Sequence, residues 1–193
     1  MDLELFNELM KQRPSQYRPE WRMFLEICEI YLKKHKIENP IAVELGTGRN
    51  RQKKFYEQLL GVHHIGIDIF SNQDTSDILG DTHDPKTIKI LKKKLGGRPV
   101  NILFIDASHY YEDVKKDFEL YQPLCSDIIA FHDIEAARGK KTDSLMVRWA
   151  EVWKFWDELK AKAHMGKGEY KDFLFLSISQ YRGEGKKVNT GSG

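Results

Sequence analysis

Short apolar runs alternate with amphipathic stretches along most of the chain, and the two periods predict its elements. Residues 41–47 (IAVELGT), 64–69 (HIGIDI), 100–107 (VNILFIDA) and 127–131 (DIIAF) read as buried strands, with a weaker one over 77–82 and a last one over 173–179 (FLFLSIS). Between them, Phe55, Tyr56, Leu59 and Leu60 keep helical spacing within residues 49–60, and Val114, Phe118 and Tyr121 mark a further helix. The helix holding Ile88, Leu91 and Leu95 is bounded on both sides: Asp84 can cap it, Pro85 suits its first turn, and Gly96 stops it. Leu145, Trp149, Val152, Trp156 and Leu159 predict a long amphipathic helix whose tryptophans pack in the core. Strands alternating with helices imply βαβ units, hence an α/β, doubly wound and mostly parallel sheet with helices on both faces.

Two segments fall outside that alternation. Residues 1–38 read as two helices broken by Pro14 and Pro19, the second with Trp21, Leu25, Cys28 and Leu32 on one stripe, which suggests an N-terminal helical cap or lid over a sheet edge. Residues 182–193 (RGEGKKVNTGSG) have too little apolar content to pack and read as a flexible tail. The expected division is therefore a cap over 1–38, one catalytic domain over 39–181 and a tail over 182–193.

Composition narrows the setting. With 31 Lys and Arg against 29 Asp and Glu in 193 residues, the formal charge is +2, so no global field demands a nucleic acid or an anionic membrane. No apolar run approaches the roughly 18 residues needed to span a bilayer, and the first residues lack a secretory pattern. Two cysteines, Cys28 and Cys125, make no disulfide framework. A reduced, cytoplasmic protein is the expectation.

In an open α/β sheet, ligands sit beyond the carboxyl ends of the strands, near the point where strand order reverses. Those ends carry Glu44-Leu-Gly46-Thr47-Gly48, then Asp68, then Asp81-Thr82, then Asp106 with His109, then His132-Asp133. A glycine turn from strand into helix lets backbone N–H groups approach a ligand. Asp68, at the end of the next strand, has about the 20-residue spacing at which an acid reaches ribose hydroxyls. The dinucleotide fingerprint wants a third glycine, which is absent at Arg51, and Glu44 before the turn suits a cationic amino group better than a pyrophosphate. An adenosyl ligand carrying an amino acid fits these features better than NAD does.

The pattern resembles the class I S-adenosylmethionine (SAM)-dependent methyltransferases over most of residues 41–180. VELGTG is similar to their first motif, GID at 66–68 to the ribose-binding acid and GDT at 80–82 to the adenine-side motif. Residues 104–124 (FIDASHYYEDVKKDFELYQPL), 128–134 (IIAFHDI) and 152–160 (VWKFWDELK) resemble a subgroup that includes cephalosporin-hydroxylase-like proteins and sugar or small-molecule O-methyltransferases. The resemblance implies a Rossmann-like sheet that binds SAM through Glu44, Gly46, Thr47, Gly48, Asp68, Asp81, Thr82 and Asp106. It further implies transfer of a methyl group to a small hydroxylated acceptor. Asn50 replaces the usual third glycine of the first motif, and Asn tolerates a left-handed backbone better than most residues.

Asp106 and Asp133 end adjacent strands, so their carboxylates can converge on Mg²⁺ or Mn²⁺, as the resemblance implies. His132 as a third ligand would favour Mn²⁺, Fe²⁺ or Zn²⁺ over Mg²⁺, because imidazole suits softer ions; the other reading is that its ring points away and hydrogen-bonds the backbone. Metal-free hydrogen bonding to substrate, or capping of the following helices, are the other readings of the two acids. His109 is the candidate general base, unless it only shapes the pocket. The basic run Arg49, Arg51, Lys53 and Lys54 is either a solvated helix face or part of an anionic-substrate site. The expected partner is a small-molecule acceptor, with no membrane and no nucleic acid, and the N-terminal helices offer a surface for a homodimer. The rival functions are a nucleic-acid methyltransferase and a SAM-binding protein that transfers no methyl group. An NAD-dependent oxidoreductase is more distant.

Overall fold

The computed structural model describes residues 1–70, 76–136, 138, 149–164 and 175–176. Strands β1 (Ile41–Leu45), β2 (His63–Asp68), β3 (Ile78–Leu79), β4 (Val100–Ile105) and β5 (Cys125–Phe131) form one sheet in the order β3-β2-β1-β4-β5. Every pairing is parallel. Strand order reverses between β1 and β4, so the expected doubly wound sheet is present and its switch point lies there. All five residues of β1 and all six of β4 are buried, as the central strands of a sheet covered on both faces must be. Cys125 opens β5, and the strand expected over 77–82 contracts to two residues.

Helices α1 (Leu3–Met10) and α2 (Arg18–Lys34) precede the sheet, α3 (Pro85–Leu95) and α4 (Tyr111–Tyr121) lie between its strands, and α5 (Val152–His164) follows. The Asp2 carboxylate caps α1 by accepting the N–H groups of Glu4 and Leu5, both at 3.0 Å. The chain then turns at Arg13, with φ of 53°, and Pro14. Asp84 caps α3 through the N–H of Lys86 at 2.8 Å, and Gly96 ends it at φ of 59°, as the sequence predicts.

Two cores follow from the alternation of side chains along the strands. On one face Val43, Leu45, Ile67, Leu103 and Ile105 meet Leu91 of α3, Phe118 of α4 and Phe155 and Trp156 of α5. On the other, Ala42, Ile102, Phe104 and Ala130 meet Phe6, Trp21, Phe24 and Leu25 of α1 and α2. The N-terminal helices therefore cover a sheet face, not an edge, because their apolar stripe matches the inward residues of β1, β4 and β5. Leu25 is fully buried there, and its truncation to alanine would cost about 2–5 kcal/mol.

Three further expectations shift. Residues 49–60 contain turns and a π-helical stretch, Phe55–Leu59, instead of a regular α-helix. Trp149 is exposed ahead of α5, while Trp156 packs in the core. The strand expected over 173–179 lies outside the described residues except for Phe175 and Leu176, as do residues 145–148 and 182–193. Phe175 packs edge-on against Trp156, with ring centroids 5.3 Å apart. No helix among the described residues is long and apolar enough to cross a membrane.

Candidate active site

The strand ends converge at the switch point. Gly46 leaves β1 with φ of 83° and packs directly on the backbone of Asp106 and Ala107 beyond β4, an approach that only glycine allows. Gly48 and Asn50 are also left-handed, at 54° and 52°, so Asn50 takes up the conformation of the missing third glycine. Its N–H donates to the carbonyl of Thr47 at 2.8 Å and closes the turn. Thr47 is buried and shares a 2.6 Å hydroxyl contact with Ser76.

Asp68 stands opposite that turn. Its Oδ2 accepts from Gly48 N–H and its Oδ1 from Phe70 N–H, both at 2.8 Å. The carboxylate is thus fixed between the first two strand ends, where the sequence puts a ribose-binding acid. Asp81 lies exposed at the rim, its Oδ1 accepting from the N–H of His83 at 2.8 Å. Thr82 faces inward, with its carbonyl accepting from the Tyr121 hydroxyl at 2.8 Å.

Glu44 departs from its expected role. Alternation along β1 turns it inward with Ala42, and its side chain has no exposure. Its Oε2 lies 2.8 Å from Nε2 of His64, whose ring stacks on Tyr56, while Oε1 has no hydrogen-bond partner. Burial raises the Glu44 pKa, against the opposing pull of His64. In place of the expected open contact with a ligand's amino group, Glu44 makes a buried contact with His64 under the glycine turn. Asp77 continues the network, accepting from Gly66 N–H at 2.9 Å and from Lys53 at 2.6 Å. His64 and Asp77 were not legible as site residues, because their partners, Glu44 on β1 for His64 and Gly66 and Lys53 for Asp77, are far from them in sequence.

A second cluster occupies the ends of β4 and β5. Oδ1 of Asp106 lies 3.4 Å from Nε2 of His109 and 3.2 Å from Nδ1 of His132. Oδ2 of Asp133 lies 3.5 Å from Nδ1 of His109 and 3.3 Å from Nδ1 of His132. The His132 ring nitrogen is close to both carboxylates yet aligned in a hydrogen bond with neither. Asp133 has φ of 58°, a left-handed backbone unusual for a residue other than glycine, and strain of this kind collects at functional sites. Burial works to raise the Asp106 pKa, but the charge of His132 and the hydrogen bond from His109 hold it well below the usual carboxylate range. The hydrogen bond to Asp106 raises the His109 pKa, and burial of His132 is outweighed by Asp106 and Asp133.

Ligand atoms of Asp106, His109 and Asp133 all lie within 4.8 Å of one another, close enough to hold one metal ion. The sequence puts Asp106, Asp133 and His132 in that role and makes His109 the base. In the structure His109 joins the carboxylates, and His132 stands beside them. Gln16, from the turn between α1 and α2, donates through Nε2 to Oδ2 of Asp106 at 3.1 Å. No pattern within the first helices marks that contact. The basic run is partly consumed: Arg51 donates to the carbonyl of Arg13 at 2.7 Å, and Lys53 pairs with Asp77.

Residues 36–134, about half of the chain and including every strand end described above, match the family described as a methyltransferase domain. The chain belongs to that family. Its sheet is of the class I, SAM-dependent methyltransferase type. The MycE methyltransferase from the mycinamycin biosynthetic pathway, in complex with Mg, SAH and mycinamycin VI, is similar in fold. It has a TM-score of 0.62 and 15% identity over 97% of this chain and 52% of MycE. The calicheamicin methyltransferase CalS11 has a TM-score of 0.53 and 10% identity, covering 99% of this chain and 91% of its own. An uncharacterised protein, y4gI of Sinorhizobium fredii, is 36% identical over 64 residues. That match covers 32% of this methyltransferase-family chain and 6% of y4gI, and the chain spans about half the length of MycE.

Proposed function

We propose that the protein transfers a methyl group from SAM to a hydroxyl oxygen of a small acceptor, a sugar or natural product. The convergence of Asp106, His109, His132 and Asp133 beside the glycine turn carries this reading. The mycinamycin and calicheamicin methyltransferases of similar fold support a natural-product acceptor. Residues 46–48 would hold the donor's amino-acid part, Asp68 its ribose and Asp81 with Thr82 its adenine edge. Methyl transfer is an in-line displacement at carbon, so most of the acceleration comes from aligning the acceptor oxygen with the sulfonium methyl.

The cluster also fits a divalent cation. Cis donors around an ion with bonds of about 2.1 Å are spaced by about 3 Å, and one ligand atom from each of Asp106, His109 and Asp133 lies within 4.8 Å of the others, so binding would draw the three together. Asp133 Oδ1 and His132 Nδ1 are buried without a hydrogen-bond partner, as donors kept for an ion would be. Asp106, His109 and Asp133 would hold it, with His132 adjacent, and the imidazoles favour Mn²⁺ over Mg²⁺. When bound, such a cation supplies positive charge that lowers the pKa of an acceptor hydroxyl. As a ligand, His109 would give up the proton on one ring nitrogen to face the ion, while the other nitrogen keeps its carboxylate contact and sets the ring's orientation.

Calorimetric titration with S-adenosylhomocysteine (SAH), in EDTA and then in Mn²⁺ or Mg²⁺, tests the reading. Micromolar binding, with Mn²⁺ bound more tightly than Mg²⁺ and methyl transfer to hydroxylated acceptors, is expected. No SAH binding in any condition would remove it. SAH binding without turnover on a broad acceptor panel would favour a SAM-binding protein that transfers nothing.

A further inference from the structure

Asp106 presents its two oxygens to different parts of the protein. Oδ1 faces His109 and His132, whereas Oδ2 accepts from Gln16, ninety positions earlier. A carboxylate rotates freely about its last bond unless both oxygens are engaged, and outer partners of this kind orient ligands and tune their basicity. Gln16 is well suited to that work. It is buried, at 6% exposure, although Ser15 and Tyr17 on either side are exposed. Left-handed Arg13 and buried Pro14 set the chain's course just ahead of it.

The same turn is anchored a second time. Arg51, just after the glycine turn, donates to the carbonyl of Arg13 at 2.7 Å. Residues 13–16 therefore bridge the loop after β1 and the end of β4, the two sides of the switch point. We infer that Gln16 is a positioning residue: its amide fixes the Asp106 carboxylate so that Oδ1 points into the histidine cluster. This deepens the proposed function and rests on it for the identity of the ligand.

Two measurements on the full chain separate the parts of this inference. In a double-mutant cycle by urea unfolding, Gln16→Met is expected to lower the folding equilibrium constant about tenfold in the wild type. In an Asp106→Ala background it should lower it less than about twofold. Equal losses in both backgrounds would show that the contact is not made and would overturn the inference, whatever the protein binds. Methionine fills the buried slot, so packing is kept while the donor is lost.

The second measurement is Mn²⁺ titration followed by electron paramagnetic resonance. Gln16→Met is expected to weaken Mn²⁺ about tenfold, and Arg51→Ala, which loosens the turn at its other anchor, should change it less than about twofold. Coupling in the cycle with unchanged Mn²⁺ affinity would reduce Gln16 to a structural latch and overturn the positioning role. Should the wild type bind SAH but no Mn²⁺, the metal reading falls, and a tenfold loss of SAH affinity in Gln16→Met becomes the deciding result. A wild type that binds neither overturns the functional reading and the positioning role together, leaving the cycle to report a latch alone.

Discussion

A Cβ placed on Gly46 would lie 2.2 Å from the carbonyl oxygen of Asp106 and 2.4 Å from Cα of Ala107. The turn that leaves β1 is therefore seated on the backbone that leaves β4, and the glycine turn and the acid cluster meet in direct backbone contact. Gly46→Ala must relieve a clash with backbone and also hold a left-handed φ, so it should cost about 3 kcal/mol or more. Gly48 is equally left-handed, but its Cβ would meet nothing within 4 Å. Gly48→Ala should cost only about 1–2 kcal/mol. Urea unfolding of the two variants measures the difference, and equal costs would show that the Gly46 approach is not as tight as described.

Asp68 ties two backbone N–H groups, those of Gly48 and Phe70, and the proposed function assigns it the donor's ribose. Asp68→Ala removes both acceptors and should weaken SAH binding about 100-fold or more. Asp68→Asn keeps one acceptor oxygen but turns an NH₂ toward a backbone donor, so an intermediate loss of about tenfold is expected. Calorimetry on both variants checks the order; alanine and asparagine variants that bind like the wild type would take Asp68 out of the site.

Asp117 of α4 has no side-chain exposure, and burial pushes its pKa up to about 6, with Asp113 and Asp81 adding to the shift while Thr82 and His83 oppose it. A carboxyl whose folded pKa is raised binds its proton more tightly folded than unfolded. Its favourable contribution is full below the ordinary aspartate range and is lost as pH rises through about 6. Asp117→Asn removes that loss. The variant should match the wild type near pH 4 and exceed it near pH 7.5 by on the order of 2 kcal/mol. Urea midpoints at the two values test this, and a variant less stable at the higher pH would mean that the His83 contact outweighs burial.

What could be read ahead of the structure was local. Asp84 and Gly96 bound α3 because capping and left-handed termination act within a few residues. The acids at the strand ends are placed by strand alternation and parallel order, and Asn50 holds the turn because asparagine accepts a positive φ. What escaped was long-range. Gln16 reaches Asp106 only because α1 and α2 lie on a sheet face, and that follows from matching two apolar surfaces far apart in sequence. The inward turn of Glu44 was foreseeable from the phase of β1, but its partner His64 depends on the register that pairs Glu44 with Gly66.

The Glu44–His64 pair provides the sharpest test of the buried layer under the glycine turn. Both side chains have no exposure, and His64 is held against Tyr56 at a centroid distance of 5.0 Å. His64→Leu leaves Glu44 buried with neither oxygen partnered, which should cost about 1–3 kcal/mol. Glu44→Gln keeps a carbonyl acceptor for His64 and cannot ionise, so it should cost under about 1 kcal/mol. Adding Glu44→Gln to His64→Leu should then recover part of the loss, because a neutral amide is cheaper to bury alone than a carboxylate. Urea unfolding of the four proteins gives the coupling directly. Strictly additive losses would mean that the two residues do not stabilise one another and that the layer beneath the turn is held by packing alone.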